Sequence, residues 1–308
     1  MTTTMEKTIQ SRYRGALVGL AVGDAIGAPV EFQSRDSFAP VTGMKSGGPH
    51  NLNAGEWTDD TSMALCLAEA LIDYDGKFVP DAIMGKFVRW WQDGYMSVKP
   101  FCFDIGNTTA GALAMYKKSG RCGGTADTNS AGNGSLMRLA PAVMVRSNLF
   151  DSVLEARSSS RLTHGNPDCV LACEIFASYL WRALHGDGDK ASVLAPPLTR
   201  FAEDSPLMEV ACGSYRYKDR DEIKSTGYVV HTLEAALWAF WHTTDFASAV
   251  LMAANLGDDA DTVAAVTGQI AGAFYGIGAI PADWLQTLAK RNRIQAMADR
   301  LYEISTRG

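Results

Sequence analysis

The chain of 308 residues has no run of lysine and arginine, and its 28 basic residues are outnumbered by 34 acidic ones. The net charge is −6 and the basic residues are scattered along the chain. This excludes the basic stripe with which proteins contact nucleic acids, so we expect no nucleic-acid partner.

Thiol motifs are also missing, since the six cysteines form no CxxC pair and show no spacing of zinc ligands. Cys66, Cys169 and Cys173 lie in apolar helical patterns, where a free cysteine behaves as a small hydrophobic residue. We therefore predict reduced core cysteines and an intracellular, cytoplasmic protein.

Neither of two apolar runs has the features of an export signal or a membrane span. GALVGLAV follows Arg12 and Arg14 like the start of a signal peptide, but Asp24 interrupts it. The run 263–280 is long enough to cross a bilayer. It is rich in Ala and Gly, contains Thr267 and Gln269, and follows an acidic cluster, so we predict a buried central helix and no membrane partner.

Alternating strand patterns and fixed-period repeats are almost absent, which favours a single all-α domain over 12–306 after a short polar tail, 1–11. Small residues recur every fourth position in the first helix, at Gly15, Gly19 and Gly23, and permit close helix contact. Irregular segments are predicted at 33–56, 120–134 and 186–226. The predicted helices are 12–26, 63–72, 83–91, 107–117, 136–145, 153–162, 168–184, 229–241, 246–255, 262–275 and 282–304, the last with a break.

Two acidic clusters, Thr58-Asp59-Asp60-Thr61 and Asp258-Asp259-Ala260-Asp261-Thr262, lie about 200 residues apart, and each opens an apolar helix. One interpretation is that they only cap these helices. However, a cap uses one side chain, and packed acids repel each other unless a cation is present. Oxygen ligands without His or Cys indicate Mg, Mn or Ca, and the number of acids allows two ions. Glu31, just beyond the first helix, can reach the same pocket.

Seven ordered motifs from about residue 12 to 280 make the chain similar to the ADP-ribosylglycohydrolase family, and within it to the bacterial dinitrogenase reductase-activating branch. They are RGALVGLAVGDAIGAPVEF, GEWTDDTSMALCLAEALI, CFDIGNTT, GNGSLMRLAP, LTHG, GYVVHTLEAALWAF and NLGDDADTVAAVTGQIAGAFYG. The resemblance implies an all-α, orthogonal multi-helix bundle with a dinuclear metal cleft that holds two Mg or Mn ions. The metal ligands implied are Glu31, Thr58, Asp59, Asp60, Asp259, Asp261 and Thr262. Asp258 is left without an assigned role.

The same resemblance implies catalytic and substrate-binding residues. Asp104 maps to the acid that assists glycosidic cleavage, with Glu31 as the other candidate; the alternative for Asp104 is a cap of the helix after Ile105. Helix starts and glycine loops offer N–H groups to phosphates. On that basis the substrate-binding candidates are Asn107, Thr108, Thr109, Asn133, Gly134, Ser135, His164 at the cleft rim and Tyr228 against adenine. As single residues, His164 and Tyr228 also suit structural roles. His231 departs from the family pattern, in which Asp is common.

The implied activity is removal of ADP-ribose from a protein side chain, most simply arginine, by cleavage of an N-glycosidic bond. The expected partners are the ADP-ribosylated protein and the ADP-ribose product, and the expected state is a monomer. The alternatives are a hydrolase for serine-linked or small-molecule ADP-ribose, an immunity protein that docks on an ADP-ribosylating toxin, and a non-catalytic relative. All seven ligand positions are filled, which favours an enzyme. Docking would need an added arm, and only about a dozen residues precede the first motif.

Overall fold

The computed structural model describes residues 2–127, 130–197, 199, 201–202 and 204–307 of the chain. In this part of the chain only isolated β-bridges accompany the helices, so the predicted single all-α domain is confirmed. The fourteen α-helices of the described residues are α1 Thr2–Gly27, α2 Asp59–Asp73, α3 Pro80–Asp93, α4 Asn107–Ser119, α5 Ala140–Met144, α6 Leu149–Arg161, α7 Pro167–His185, α8 Lys190–Val193, α9 Leu207–Ala211, α10 Val229–Trp241, α11 Phe246–Ala254, α12 Ala260–Tyr275, α13 Ala282–Thr287 and α14 Arg291–Ser305.

Several predicted boundaries differ from those observed. Helix α1 begins at Thr2, so most of the predicted polar tail is helical. The helix predicted over 136–145 covers only Ala140–Met144, because Pro141 lies in its first turn, where proline is tolerated. Two short helices, α8 and α9, interrupt the segment predicted as irregular.

Helices α1 and α12 pack along a stripe of small residues, which confirms the predicted close contact. Gly15 lies against Gly272, and Gly19 lies against Gly268. A Cβ atom built on Gly272 would be 1.9 Å from the carbonyl oxygen of Gly15, and one on Gly268 would be 2.0 Å from that of Gly19. The two backbones are therefore in direct contact. This contact brings the C-terminal end of α1 next to the N-terminal end of α12.

The glycine stripe leads to a stability prediction. Gly272→Ala is expected to lower the free energy of unfolding by about 3 kcal/mol, because the new methyl group meets backbone that cannot rotate away. Gly111→Ala in α4 is the matched control: apart from the neighbouring backbone of its own helix, no atom lies within 4 Å of its added Cβ. We expect this control to stabilise the protein by about 0.5–1 kcal/mol through helix propensity. Equal unfolding midpoints for the two variants in denaturant titrations would contradict the packing argument.

The core surrounds α12, which contacts α1, α7, α10 and α11. Cys66, Cys169 and Cys173 are buried free thiols, as predicted. No helix in the described part of the chain combines the length and hydropathy needed to cross a bilayer. The prediction that 263–280 contains a buried helix agrees with this, since nearly all residues of α12 are buried in the protein.

Candidate active site

A cleft of about 360 Å³ opens where the first turns of α2, α4 and α12 meet the segment after α1. It brings together residues that are up to about 230 positions apart in the sequence. The predicted site residues that line it are Glu31, Asp59, Asp104, Asn107, Thr108, Thr109, Asn133, Gly134, His164, Asp259, Asp261 and Thr262. The two acidic clusters thus converge at one place.

Thr58 and Asp60 are fully buried and do not line the cleft, and hydroxyl groups join the two clusters next to it. The Oγ1 atom of Thr58 is 3.2 Å from Oδ2 of Asp261. The Oγ1 atom of Thr262 is 3.3 Å from Oδ2 of Asp60. Each of these contacts links α2, or the residue before it, to α12, so the first turns of the two helices are in contact.

Asp24, which the sequence reasoning did not select, caps α2 from α1. Its carboxylate accepts hydrogen bonds from the backbone N–H groups of Thr58 at 2.8 Å and Thr61 at 3.0 Å. It also accepts bonds from both threonine hydroxyls, at 2.9 and 2.6 Å. The only signal in the sequence was a single acid inside an apolar helix. Because Asp24 accepts the hydrogen bonds from the N–H groups at the start of α2, the carboxylates of Asp59 and Asp60 are not needed as caps and can bind a cation.

Neither acidic cluster supplies a side-chain cap for the helix that it opens. The N-cap residue of α2 is Thr58 and that of α12 is Asp259, and neither side chain makes a capping hydrogen bond. Asp258 is exposed, and its Oδ2 atom lies 3.5 Å from the hydroxyl of Ser225. It takes part in neither cap, and its side chain is absent from the cleft lining.

Burial and mutual repulsion disfavour the charged forms of the clustered acids. Burial, followed by the nearby charges of Asp104 and Asp259, raises the pKa of Glu31 to about 9. Burial and the charges of Asp24 and Asp259 raise the pKa of Asp104 to about 8. The pKa values of Asp59, Asp60 and Asp261 are also raised by burial and by their acidic neighbours. A bound cation would relieve this repulsion.

Two oxygen atoms provide a direct test of whether cations fit this site. Oδ1 of Asp60 and Oδ1 of Asp261 are buried and have no hydrogen-bond partner among the described residues. Buried carboxylate oxygens are normally paired or bound to a metal. The donor set consists of carboxylates and hydroxyls, which hard divalent cations prefer. The residues present therefore fit divalent cations.

Asp104 does not cap α4, so this alternative for its role is wrong. The N-cap of α4 is Gly106, and it has no side-chain capping bond. Asp104 has a left-handed backbone (φ +60°), and its carboxyl group lines the cleft.

His50 is a further site residue that the sequence reasoning missed. Its Nε2 atom lies 3.1 Å from Oε2 of Glu31 and 3.3 Å from Oδ1 of Asp104. These three residues form a group that could bind a metal ion. A lone histidine in a long glycine-rich loop carries no sequence signal of this contact.

Asn133 contacts a predicted metal ligand on the opposite wall. Its Nδ2 atom donates hydrogen bonds to Oδ2 of Asp259 at 2.7 Å and to the hydroxyl of Thr232 at 2.9 Å. The side chain therefore orients Asp259. Nearby, the first turn of α4 presents backbone N–H groups without intrahelical acceptors, at the positive end of the helix dipole. This arrangement suits a phosphate group.

Comparison of the sequence with models of known protein families shows the family of this chain. The family model for ADP-ribosylglycohydrolase matches residues 5–308. The chain belongs to the ADP-ribosylglycohydrolase family. The family resemblance predicted from the seven motifs is confirmed, and so is the prediction that the chain is a glycohydrolase.

Similar members of the ADP-ribosylglycohydrolase family come from several bacteria. The chain is 46% identical to the ADP-ribosylarginine hydrolase Tri1 of Pseudomonas putida (strain GB-1), over 98% of this chain and 80% of that protein. It is 31% identical to the ADP-ribosyl-dinitrogen reductase glycohydrolase of Rhodospirillum rubrum, over 91% of each. A solved ADP-ribosylglycohydrolase-related protein complex contains a chain with a TM-score of 0.85 and 43% identity, covering 97% of this chain and 99% of that one.

His164 of the family's LTHG motif lines the cleft as a neutral side chain. Burial, with a smaller effect of the Arg138 charge, lowers its pKa to about 3. Its Nδ1 atom lies 2.8 Å from the hydroxyl of Thr163. A Cβ atom on Gly134 would be 2.8 Å from its ring, so the glycine makes room for the imidazole. Any side chain at this place would displace the ring.

Two of the proposed substrate-binding residues of this family member do not line the cleft. The Ser135 side chain is buried and accepts hydrogen bonds from Ser160 at 2.9 Å and from the Cys173 thiol at 3.5 Å. Tyr228 pairs with the cleft residue Gly132 in a β-bridge, so it lies beside the cleft. Its hydroxyl group donates a hydrogen bond to Asp168 at 2.8 Å.

Proposed function

We propose that this enzyme removes ADP-ribose from arginine side chains of modified proteins, with the help of two divalent cations, Mg or Mn. The observation that carries the proposal is the meeting of two acidic clusters with Glu31 and Asp104 in one cleft. The arginine linkage is supported by relatives named ADP-ribosylarginine hydrolase at 46% and 44% identity.

Cation binding would use the buried carboxylates and hydroxyls on both sides of the contact between α2 and α12. The proposed ligands are Glu31, Thr58, Asp59, Asp60, Asp259, Asp261 and Thr262. When bound, the cations would supply positive charge to hold the vicinal hydroxyls of the ribose and to polarise a water molecule. Asn133 keeps Asp259 in place for this role, since it donates a hydrogen bond to that carboxylate.

The protein residues around the cations have separate roles in the proposed reaction. Cleavage of a glycosidic bond develops positive charge on the sugar, which carboxylates stabilise. Asp104 or Glu31 exchanges the proton, since both carboxyl groups line the cleft and burial raises the pKa of both in the metal-free protein. Asn107, Thr108, Thr109 and the loop at Gly134 bind the phosphates and ribose. Tyr228, just beyond the cleft, stacks on adenine.

The linkage is tested with one peptide sequence that contains both an arginine and a serine. One sample carries ADP-ribose on the arginine, and the other carries it on the serine. We expect kcat/KM to be at least about 100-fold higher for the arginine peptide, because the leaving group and its protonation differ. Asp261→Asn is the control that abolishes both activities if hydrolysis belongs to this cleft. Faster cleavage of the serine peptide would overturn the arginine assignment, and no cleavage of either peptide would overturn the hydrolase assignment.

A further inference from the structure

Three phenylalanine rings lie on the chain segments that carry the two acids proposed to act on the substrate, and two of these rings are exposed. Phe32 follows Glu31 directly, lines the cleft and is 68% exposed. Phe101 is 55% exposed, and its ring lies 6.3 Å from the ring of Phe103, which precedes Asp104. The ring of Phe103 also lies 5.2 Å from that of His50. We refer to Phe32, Phe101 and Phe103 as the aromatic rim.

The backbone holds Phe32 in this exposed position. Its φ angle is +62°, a left-handed conformation that bulky residues rarely adopt. The N–H group of Phe32 donates to the carbonyl oxygen of Asp258 at 2.7 Å, and the N–H group of Asp258 donates to that of Gln33 at 2.8 Å. These paired bonds fix the segment after Glu31 to the loop before α12. The exposure of Phe32 is therefore set by the fold, and such strain is concentrated at functional sites.

The segment that carries Phe101 is also held in place. Gly94 ends α3 in a left-handed conformation, and a Cβ atom there would lie 2.5 Å from the backbone nitrogen of Phe101. The chain at Phe101 therefore packs directly on the end of α3. Exposed rings on fixed backbone offer apolar area at a low entropic cost on binding.

We propose that the aromatic rim binds the polypeptide that surrounds the modified side chain and favours apolar residues next to it. This inference rests on the proposed function. The scissile bond must lie at Glu31 and Asp104, so the backbone of a protein substrate lies within one arginine side chain of these acids and close to the residues adjacent to them. Phe32 and Phe103 are those residues. Apolar side chains that flank the modified residue would cover the rings and remove them from water.

The test uses three substrates: free ADP-ribosyl-arginine, and two short peptides with one ADP-ribosylated arginine flanked by leucines or by glycines. For the wild-type enzyme we expect kcat/KM to be about tenfold higher for the leucine peptide than for the glycine peptide. Phe101→Ser should reduce this ratio to about twofold or less, while kcat/KM for free ADP-ribosyl-arginine stays unchanged. Phe32→Ser should lower the same ratio, and Phe101→Leu should preserve much of it.

Phe150→Ser is the matched control, because Phe150 is 71% exposed but lies on α6, outside the cleft. It should leave the leucine-to-glycine ratio unchanged. Equal kcat/KM for the two peptides with the wild-type enzyme would overturn the proposal. An equal loss on all three substrates in Phe101→Ser would also overturn it, since the ring would then only support the cleft. Absence of hydrolysis with every substrate would instead reject the proposed function, and the rim proposal with it.

Discussion

The metal-free protein is expected to lose stability as the pH rises from about 5 to about 8, and divalent cations are expected to abolish this loss. Burial and neighbouring acids raise the pKa of Glu31 from 4.5 to about 9 and that of Asp104 from 3.8 to about 8. Between the unfolded and folded pKa values, the folded chain therefore binds more protons than the unfolded chain. The free energy of unfolding then falls with increasing pH, by about 1.4 kcal/mol per pH unit for each proton of difference.

Thermal melts measure this pH dependence of stability. They are recorded at about pH 5 and about pH 8, in excess chelator and in millimolar Mg or Mn. Bound cations replace the protons as partners of the carboxylates, so the gain from metal should be larger at the higher pH. Mass action alone gives about 2.7 kcal/mol when the free cation exceeds its dissociation constant 100-fold. Chelation should also abolish hydrolysis, and addition of Mg or Mn should restore it.

Asp261→Asn is the control for this experiment, because it removes one of the clustered buried carboxyl groups. Without metal, the variant should be more stable than the wild type near the upper pH, since less repulsion remains. With metal, it should show little or no stabilisation. A metal-free wild-type protein whose stability rises with pH, or full activity in excess chelator, would contradict the convergent-cluster argument.

The Asp104→Asn variant is expected to keep its fold and to lose turnover by roughly 100-fold or more, the usual effect of losing an acid–base group. Asparagine tolerates the left-handed backbone at this position, where φ is +60°. Asp104 caps no helix, so no capping bond is lost. Since burial disfavours its charged form, the neutral amide should leave the melting temperature unchanged or slightly higher.

Measuring both the hydrolysis rate and the affinity for ADP-ribose in each variant separates the roles of Asp104 and Asp259. Binding of ADP-ribose to Asp104→Asn, measured by calorimetry in the presence of metal, should survive, because cations and backbone N–H groups hold the product. Asp259→Asn should lose metal binding and ADP-ribose binding together with the rate. If Asp104→Asn hydrolyses at the wild-type rate while folded, the proton must be exchanged by Glu31 or by a water molecule.

Local patterns in the sequence were sufficient for much of this description. Helical periodicity and terminators predicted α10 and most of the other long helices, because apolar spacing reflects which face a helix buries. Two acid-rich helix starts predicted a metal cleft from ligand chemistry alone. Boundaries were less predictable: α2 includes Asp59 and Asp60, since acids in the first turn of a helix favour its positive end.

The sequence by itself determined the all-α class, the close contact of α1 through Gly15 and Gly19, and the acidic residues available as ligands. Each of these follows from residue type and from spacing within one helix. Only the tertiary structure decided that Asp24 caps α2, that His50 contacts Glu31 and Asp104, and that Ser135 faces Ser160 instead of the cleft. The physical reason is that these contacts join different helices and loops, and helix crossing, which no local pattern encodes, determines which side chains meet.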